Sequence, residues 1–258
     1  MGEGLTLVRA TTPAVAIAQP ATVETTTQVG QIAALSRDQD PLTSAFPVPW
    51  AWIWEMQAQA SATNQANSYQ YRSPEVISPD GQIRAYTVIE LEAQPDSLKS
   101  QVRSTLWVLS GNGAEPLRYA SSMHLGTGGA VQTSAKQPGT ISILMPIGWS
   151  QDGQQLLVRQ FEALMGSDIA SDYGVIWSRD RQTVASWAPN PINYDSAVLL
   201  GWDQTQPGQI LFETSILGEL DTRRVAVQLG SGKTALTPHH EPLNHGQVIS
   251  REAGPIQS

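Results

Sequence analysis

Hydrophobic residues in this chain fall into short runs, each closed by a cluster of turn-forming residues, and three of these junctions look alike. Val76-Ile77-Ser78-Pro79 leads into Asp80-Gly81-Gln82, and Pro146-Ile147-Gly148-Trp149-Ser150-Gln151 leads into Asp152-Gly153-Gln154. Val198-Leu199-Leu200-Gly201-Trp202-Asp203 precedes Pro207-Gly208-Gln209 after a short insertion. Runs rich in β-branched and aromatic residues follow at 83–89, 156–161 and 210–214. Asp-Gly supplies the positive φ of tight hairpin turns, so each junction predicts two strands and a hairpin.

After a polar loop, another apolar run appears in each unit, at 105–109, 173–177 and 224–229, followed by a short turn and a brief last strand. Four strands in antiparallel meander predict the blade of a β-propeller. Ser78-Pro79-Asp80-Gly81-Gln82 with the later Leu106-Trp107-Val108 resembles the TolB-type β-propeller repeat. Trp149-Ser150-Gln151-Asp152-Gly153 with Ile176-Trp177 resembles it too, while the third unit departs, with Pro207-Gly208 in place of Asp-Gly. The resemblance spans about residues 74–237. It implies an all-β, propeller-like array of four-stranded antiparallel blades with three clear repeats, and such propellers commonly serve as docking platforms.

Closed propellers typically have four to eight blades, so three require either a degenerate fourth from the flanks, an open array or a partner. The flank candidate is Trp50-Ala51-Trp52-Ile53-Trp54-Glu55-Met56. There Trp50, Trp52, Trp54 and Met56 alternate at period two, which puts three indoles on one face of a strand. Buried, they are core; exposed, they are a surface for a partner or for stacking on sugars. Ser68–Arg72 is a second strand for the same blade, and the stretch from Val248 is a candidate edge strand. Residues 1–45, rich in Ala, Thr and Pro, read as a flexible extension with a short helix near 31–35; 46–237 form the β-domain and 238–258 a polar tail.

Composition narrows the partners. Only 15% of the 258 residues are charged, and the formal charge is -8, which argues against nucleic acid or an anionic membrane, since both reward a basic face. No run is long and apolar enough for a membrane span. There is no cysteine, so disulfides, thiol nucleophiles and thiolate metal sites are excluded.

Catalytic and cofactor motifs are not found. Gly230-Ser231-Gly232-Lys233-Thr234 resembles the end of a phosphate loop, but the first required glycine falls on Val227, leaving a plain turn. No nucleophile elbow occurs. His239, His240 and His245 lie around Glu241 at spacings that fit no zinc motif, and read as a solvated tail. Glu162, Asp168 and Asp172 read as carboxylates of one polar loop, Glu90, Glu92 and Asp96 of another, and Glu219 and Asp221 of a third. Paired carboxylates serve glycoside chemistry or calcium, but solvated loop tips are commoner. The sequence therefore predicts a non-catalytic protein-interaction scaffold without cofactor or metal, binding a protein through loops or an incomplete edge. The alternative is a glycan-binding or glycan-active protein using Trp50, Trp52, Trp54 and the acidic loops.

Overall fold

The computed structural model describes residues 40–111, 117–124 and 137–256. One helix, α1 (Trp50–Thr63), precedes fifteen strands among the described residues. They are β1 (Asn67–Arg72), β2 (Glu75–Ile77), β3 (Ile83–Ala93), β4 (Gln101–Ser110), β5 (Leu117–Ala120), β6 (Thr140–Trp149), β7 (Gln155–Leu164) and β8 (Ala170–Ser178). The rest are β9 (Thr183–Trp187), β10 (Ser196–Trp202), β11 (Gln209–Ser215), β12 (Arg223–Gln228), β13 (Thr234–Leu236), β14 (Gln247–Ile249) and β15 (Gly254–Ile256).

The propeller expectation fails, and the TolB-type resemblance with it. Strands join across the boundaries that would separate blades: β4 pairs in parallel with β6 through Val102 and Ile141, β14 adds to β2, and β1 adds to β3. The result is one mixed eleven-stranded sheet with the main order β14-β2-β3-β4-β6-β7-β8-β9, and one four-stranded sheet, β10-β11-β12-β13. Both are open. The hairpin turns are real, but Asp-Gly turns form wherever antiparallel strands reverse, and they carry no information about closure. The interaction scaffold built on propeller blades falls for the same reason.

Residues 50–56 are helical, not a strand. Trp at every second position fits a strand face, but Ile53, Gln57 and Ala60 are buried at helical spacing, and Met56, Ala58, Gln59 and Ala60 favour helix. Pro49 stands at the N-cap, and Asn64 closes the helix in the left-handed conformation, with φ of 53°. Trp50 and Trp54, one turn apart, meet edge to face at 5.8 Å, and Trp50 also meets Phe161 at 5.8 Å. Trp52, on a different face, is buried beside Tyr71. The three indoles thus share no single face, and the sugar-stacking row does not exist.

Burial explains the apolar patterning. β3 alternates buried positions with mostly part-buried ones, as a strand with one partly wet face does. Every residue of β6 and nearly every residue of β7 is buried, because both faces are covered. One core packs α1 against Ile89, Leu91, Ile141 and Phe161; a second gathers Leu106, Leu144, Trp149 and Trp177; a third lies between the two sheets around Leu157, Ile176, Leu199 and Phe212.

Two junctions hold the strand groups together. At the first, the buried Ser104 of β4 accepts from Leu144 N at 2.8 Å and donates to Ser142 O at 3.3 Å, both in β6. At the second, β10 lies beside β8, its Leu199 N bonding Asp172 Oδ2 at 2.9 Å and its Ala197 N bonding Ser171 Oγ at 3.2 Å. These side chains satisfy edge N–H groups that would otherwise be buried without partners.

Residues 242–249 run back across the structure. Leu243 N bonds Trp202 O at the end of β10, Trp149 and His245 exchange backbone bonds of 2.9 and 3.1 Å at the end of β6, and β14 then pairs with β2. Val248 lies in this strand. The approach is close: a Cβ on Gly148 would lie 2.5 Å from Asn244 Cβ, and one on Gly246, at φ of +94°, would collide with the Ile77 carbonyl oxygen. β15 then pairs with β1.

Candidate functional site

The first two turns have the same internal wiring. Ser78 Oγ donates to Asp80 Oδ1, which accepts from Gln82 N at 3.1 Å, while Ile83 N donates back to Ser78 Oγ at 3.0 Å. In the second turn, Ser150 Oγ donates to Asp152 Oδ1 at 2.6 Å, Gln154 N follows at 3.1 Å, and Gln155 N donates to Ser150 Oγ at 3.0 Å. Gly81 and Gly153 hold φ of 73° and 67°, which only glycine adopts without cost. The turns are neighbours, since a Cβ on Gly153 would lie 3.4 Å from Pro79 Cδ. The third turn is built differently. Asp203 Oδ1 accepts from Thr205 N and Oγ1, each at 2.8 Å, and Oδ2 meets His240 Nδ1 at 2.5 Å.

Between the second and third turns opens a cleft of 480 Å3, floored by Leu243 and His245 of the returning segment. Trp202 and Pro207 supply apolar wall; Gln151, Asp152, Gln155, Asp203 and Gln204 supply polar groups. Among the described residues no Lys or Arg lines it. The Ser150 hydroxyl and then the Gln154 N–H hold the Asp152 carboxyl below the usual range, against the opposing effect of burial. At Asp203 burial pushes the carboxyl up, but His240, Thr205 and Gln206 outweigh it and leave the carboxyl below the usual range. Both groups are anionic at neutral pH. The side-chain amides of Gln151, Gln155 and Gln204 make no hydrogen bond among the described residues, and Asp152 Oδ2 bonds no other residue. The Asp152 Oδ2 and three amide side chains therefore line a partly apolar hollow, while the Asp203 carboxylate, inaccessible and bonded on both oxygens, adds negative charge behind the wall.

The structure redistributes the other residues singled out above. Trp50 and Trp54 are half-buried and pack on the core with Trp52, while Trp54 also lines a shallow groove with Glu55, Gln57 and Ser61. Glu162 and Asp172 do not sit in a solvated loop. They lie on β7 and β8, and neither side chain is accessible. Glu162 accepts from His124 N at 2.8 Å, lies 2.7 Å from His124 Nδ1, and accepts from Gln160 Nε2 at 2.6 Å. The His124 ring stacks on Tyr173, whose phenol is pushed up by burial and then by the charge of Glu162. Glu90 and Glu92 lie on β3, paired with Arg103, and Asp96 caps a short 3-10 turn. Glu219 pairs with Arg223. Of the three histidines read as a solvated tail, His239 is exposed, whereas His240, beside Asp203, and His245, whose backbone pairs with Trp149, are only partly exposed. Residues 230–232 form the turn expected of them, between β12 and β13.

Sequence reasoning overlooked Arg159 altogether. It lies fully buried on β7, with Nε 2.8 Å from both carboxylate oxygens of Asp172. Nη1 reaches Asp40 Oδ2 at 2.6 Å and Phe46 O at 2.8 Å, and Nη2 reaches Asp40 Oδ1 at 3.1 Å. Asp40 in turn accepts from Leu42 N and Val48 N. One cation thus ties residues 40–48 to β7, β8 and, through Leu199, β10. Its cue in the sequence is a lone arginine inside Leu156-Leu157-Val158-Arg159-Gln160-Phe161. A buried charge needs a partner, and Asp172 lies on the adjacent strand.

Among the described residues no helix is long and apolar enough to cross a membrane, and no group of three His, Asp or Glu residues is arranged to hold a metal ion. No protein-family model matches this sequence, and comparison with curated proteins finds none that matches it.

Proposed function

We propose that this protein is a ligand-binding module that holds a small cationic ligand, an amine or guanidinium, in the cleft between the Ser150–Gln155 and Asp203–Gly208 turns. The observation that carries this reading is the lining: the unbonded Oδ2 of ionised Asp152, three unengaged side-chain amides and, enclosed behind the wall, the ionised Asp203, with no lining Lys or Arg among the described residues. The cleft has the size and the mixed apolar and polar character typical of small-molecule sites. Asp152 offers the charge-assisted bond through Oδ2, and Trp202 and Leu243 cover the ligand's carbon skeleton. An anion would meet two like charges here and no opposing side chain of Lys or Arg.

Isothermal titration with 1,4-diaminobutane, and with 1,4-butanediol as the uncharged control, tests the reading. The diamine should bind saturably and the diol should not. Asp152→Asn, on a turn whose backbone it leaves in place, should weaken the diamine roughly tenfold or more, as expected for loss of a charged hydrogen-bond partner. Equal behaviour of diamine and diol, or no effect of the substitution, would refute it.

A further inference from the structure

A second, larger hollow of 860 Å3 lies between the β2–β3 and β8–β9 turns. Its polar lining differs in including a cation, Arg179, beside Asp180, Gln82, Gln182 and Ser110. Trp177 forms part of the wall, is 3% exposed, and its buried indole N–H, like those of Trp107 and Trp149, finds no acceptor among the described residues. A buried donor without a partner is costly, and an acceptor arriving from outside relieves that cost. Arg179, on the same wall, gives Nη1 to Asp80 at 2.7 Å and Nη2 to Gln82 Oε1 at 3.2 Å. A guanidinium carries five N–H donors, so it keeps donors for a further acceptor. The Ser110 hydroxyl adds another. Ile83, Val108 and Leu117 line the apolar part.

We infer that this cleft is a second binding site, for a small ligand bearing a carboxylate, with the Trp177 indole N–H and the Arg179 guanidinium as its two anchors. An indole N–H donates only and an Arg has no acceptor, so the pair selects for acceptors and against the amines assigned to the neighbouring cleft. The charged neighbours are Asp80, bonded to Arg179, and Asp180 on the cleft wall. Asp80 competes with the ligand for Arg179, which sets the affinity low and makes it adjustable. The assignment stands independently of the amine site, since no wall residue is shared.

The test follows the indole N–H resonances in 1H-15N spectra while N-acetylglycine is added, with glycinamide as the cationic control. Trp177→Phe identifies the resonance by its disappearance; should that variant not fold, selective relaxation by a spin label placed at Ser110 through Ser110→Cys identifies it instead. N-acetylglycine should shift the Trp177 signal saturably and glycinamide should leave it unmoved. Arg179→Gln should weaken binding roughly tenfold, the worth of one charge-assisted bond, and Asp80→Asn should tighten it by releasing the guanidinium. A structural role for Arg179 would make both substitutions act in the same direction. An unmoved Trp177 signal, an unchanged affinity in Arg179→Gln, or an Asp80→Asn protein that does not bind more tightly overturns the assignment. Because the probes differ in charge, failure here leaves the diamine result intact, and the reverse holds equally.

Discussion

The β4–β6 junction and the β8–β10 junction meet one need, satisfying the edge of a new strand where it lies against an older one, with different chemistry. At the first, a neutral hydroxyl, Ser104, does it from within a continuous sheet. At the second, the sheet breaks, and a carboxylate, Asp172, reaches across to Leu199 N while also holding Arg159. The neutral solution couples two strands. The charged one couples four segments, because Arg159 also binds Asp40 and the Phe46 carbonyl. The difference teaches where this fold concentrates its dependence on single residues: at the boundary that has no ladder of backbone bonds to share the load.

The largest expected effect comes from breaking the charged junction. Arg159→Ala leaves Asp172 and Asp40 buried and unpaired, which should destabilise the protein by about 3–5 kcal/mol. Urea denaturation measures it, and a loss no greater than that of Ser104→Ala would erase the contrast between the junctions. Ser104→Ala orphans Leu144 N inside a sheet that otherwise persists, and should cost about 1–3 kcal/mol.

The smallest effect concerns pH. Burial pushes the Asp172 carboxyl up to about 6, against the opposing pull of Arg159 and the Leu199 N–H, with the charge of Asp40 adding to the rise. The triad of two carboxylates and one guanidinium carries a net negative charge in the interior, and a proton on Asp172 neutralises it. A carboxyl whose folded pKa lies above its unfolded value of roughly 4 binds more protons in the folded state, so its contribution to stability grows as pH falls from about 6 towards 4. Asp80, Asp152 and Asp203, all held below the usual range, act the other way, but only at lower pH. Melting curves at pH 5 and pH 7 should therefore favour pH 5 for the natural protein relative to Asp172→Asn. A parallel shift of both proteins would show that the charged junction does not titrate.

What the sequence made legible follows from how local each signal is. Asp-Gly turns and β-branched runs depend on neighbours a few residues away, so the strands around 83–89, 156–161 and 210–214 could be read directly. Closure depends on which strands meet across the whole chain, and nothing local distinguishes a blade from a stretch of a larger sheet. The tryptophan row misled because bulky residues at alternate positions dominate a hydrophobic pattern, while the quieter helical signal of Ile53, Gln57 and Ala60 rests on one amide and one methyl. The candidate cleft was half visible: Asp152 and Trp202 lie in the turns the sequence marked, but His245 and Leu243 come from a stretch read as tail. Acidic residues in a weakly charged chain invite a reading as loop tips. Glu162 and Asp172 take that reading in the sequence and depart from it in the fold, because their partners, His124 and Arg159, lie far enough away in sequence that only the folded sheet brings them together.

The return of residues 242–249 across β10, β6 and β2 bears on how the molecule is made. A vectorially synthesised chain displays β2 and the end of β6 long before Gly246 and Val248 exist. Until then the Trp149 and Ile77 backbones are open to pairing with other chains. Together with β15–β1, the β14–β2 pairing is among the most sequence-distant strand pairings of the described residues, and such closures carry a high entropic barrier, so they form last. The nascent protein thus passes through a stage that is nearly complete in secondary structure yet still unlatched, and its yield in a crowded cell depends on how briefly that stage lasts.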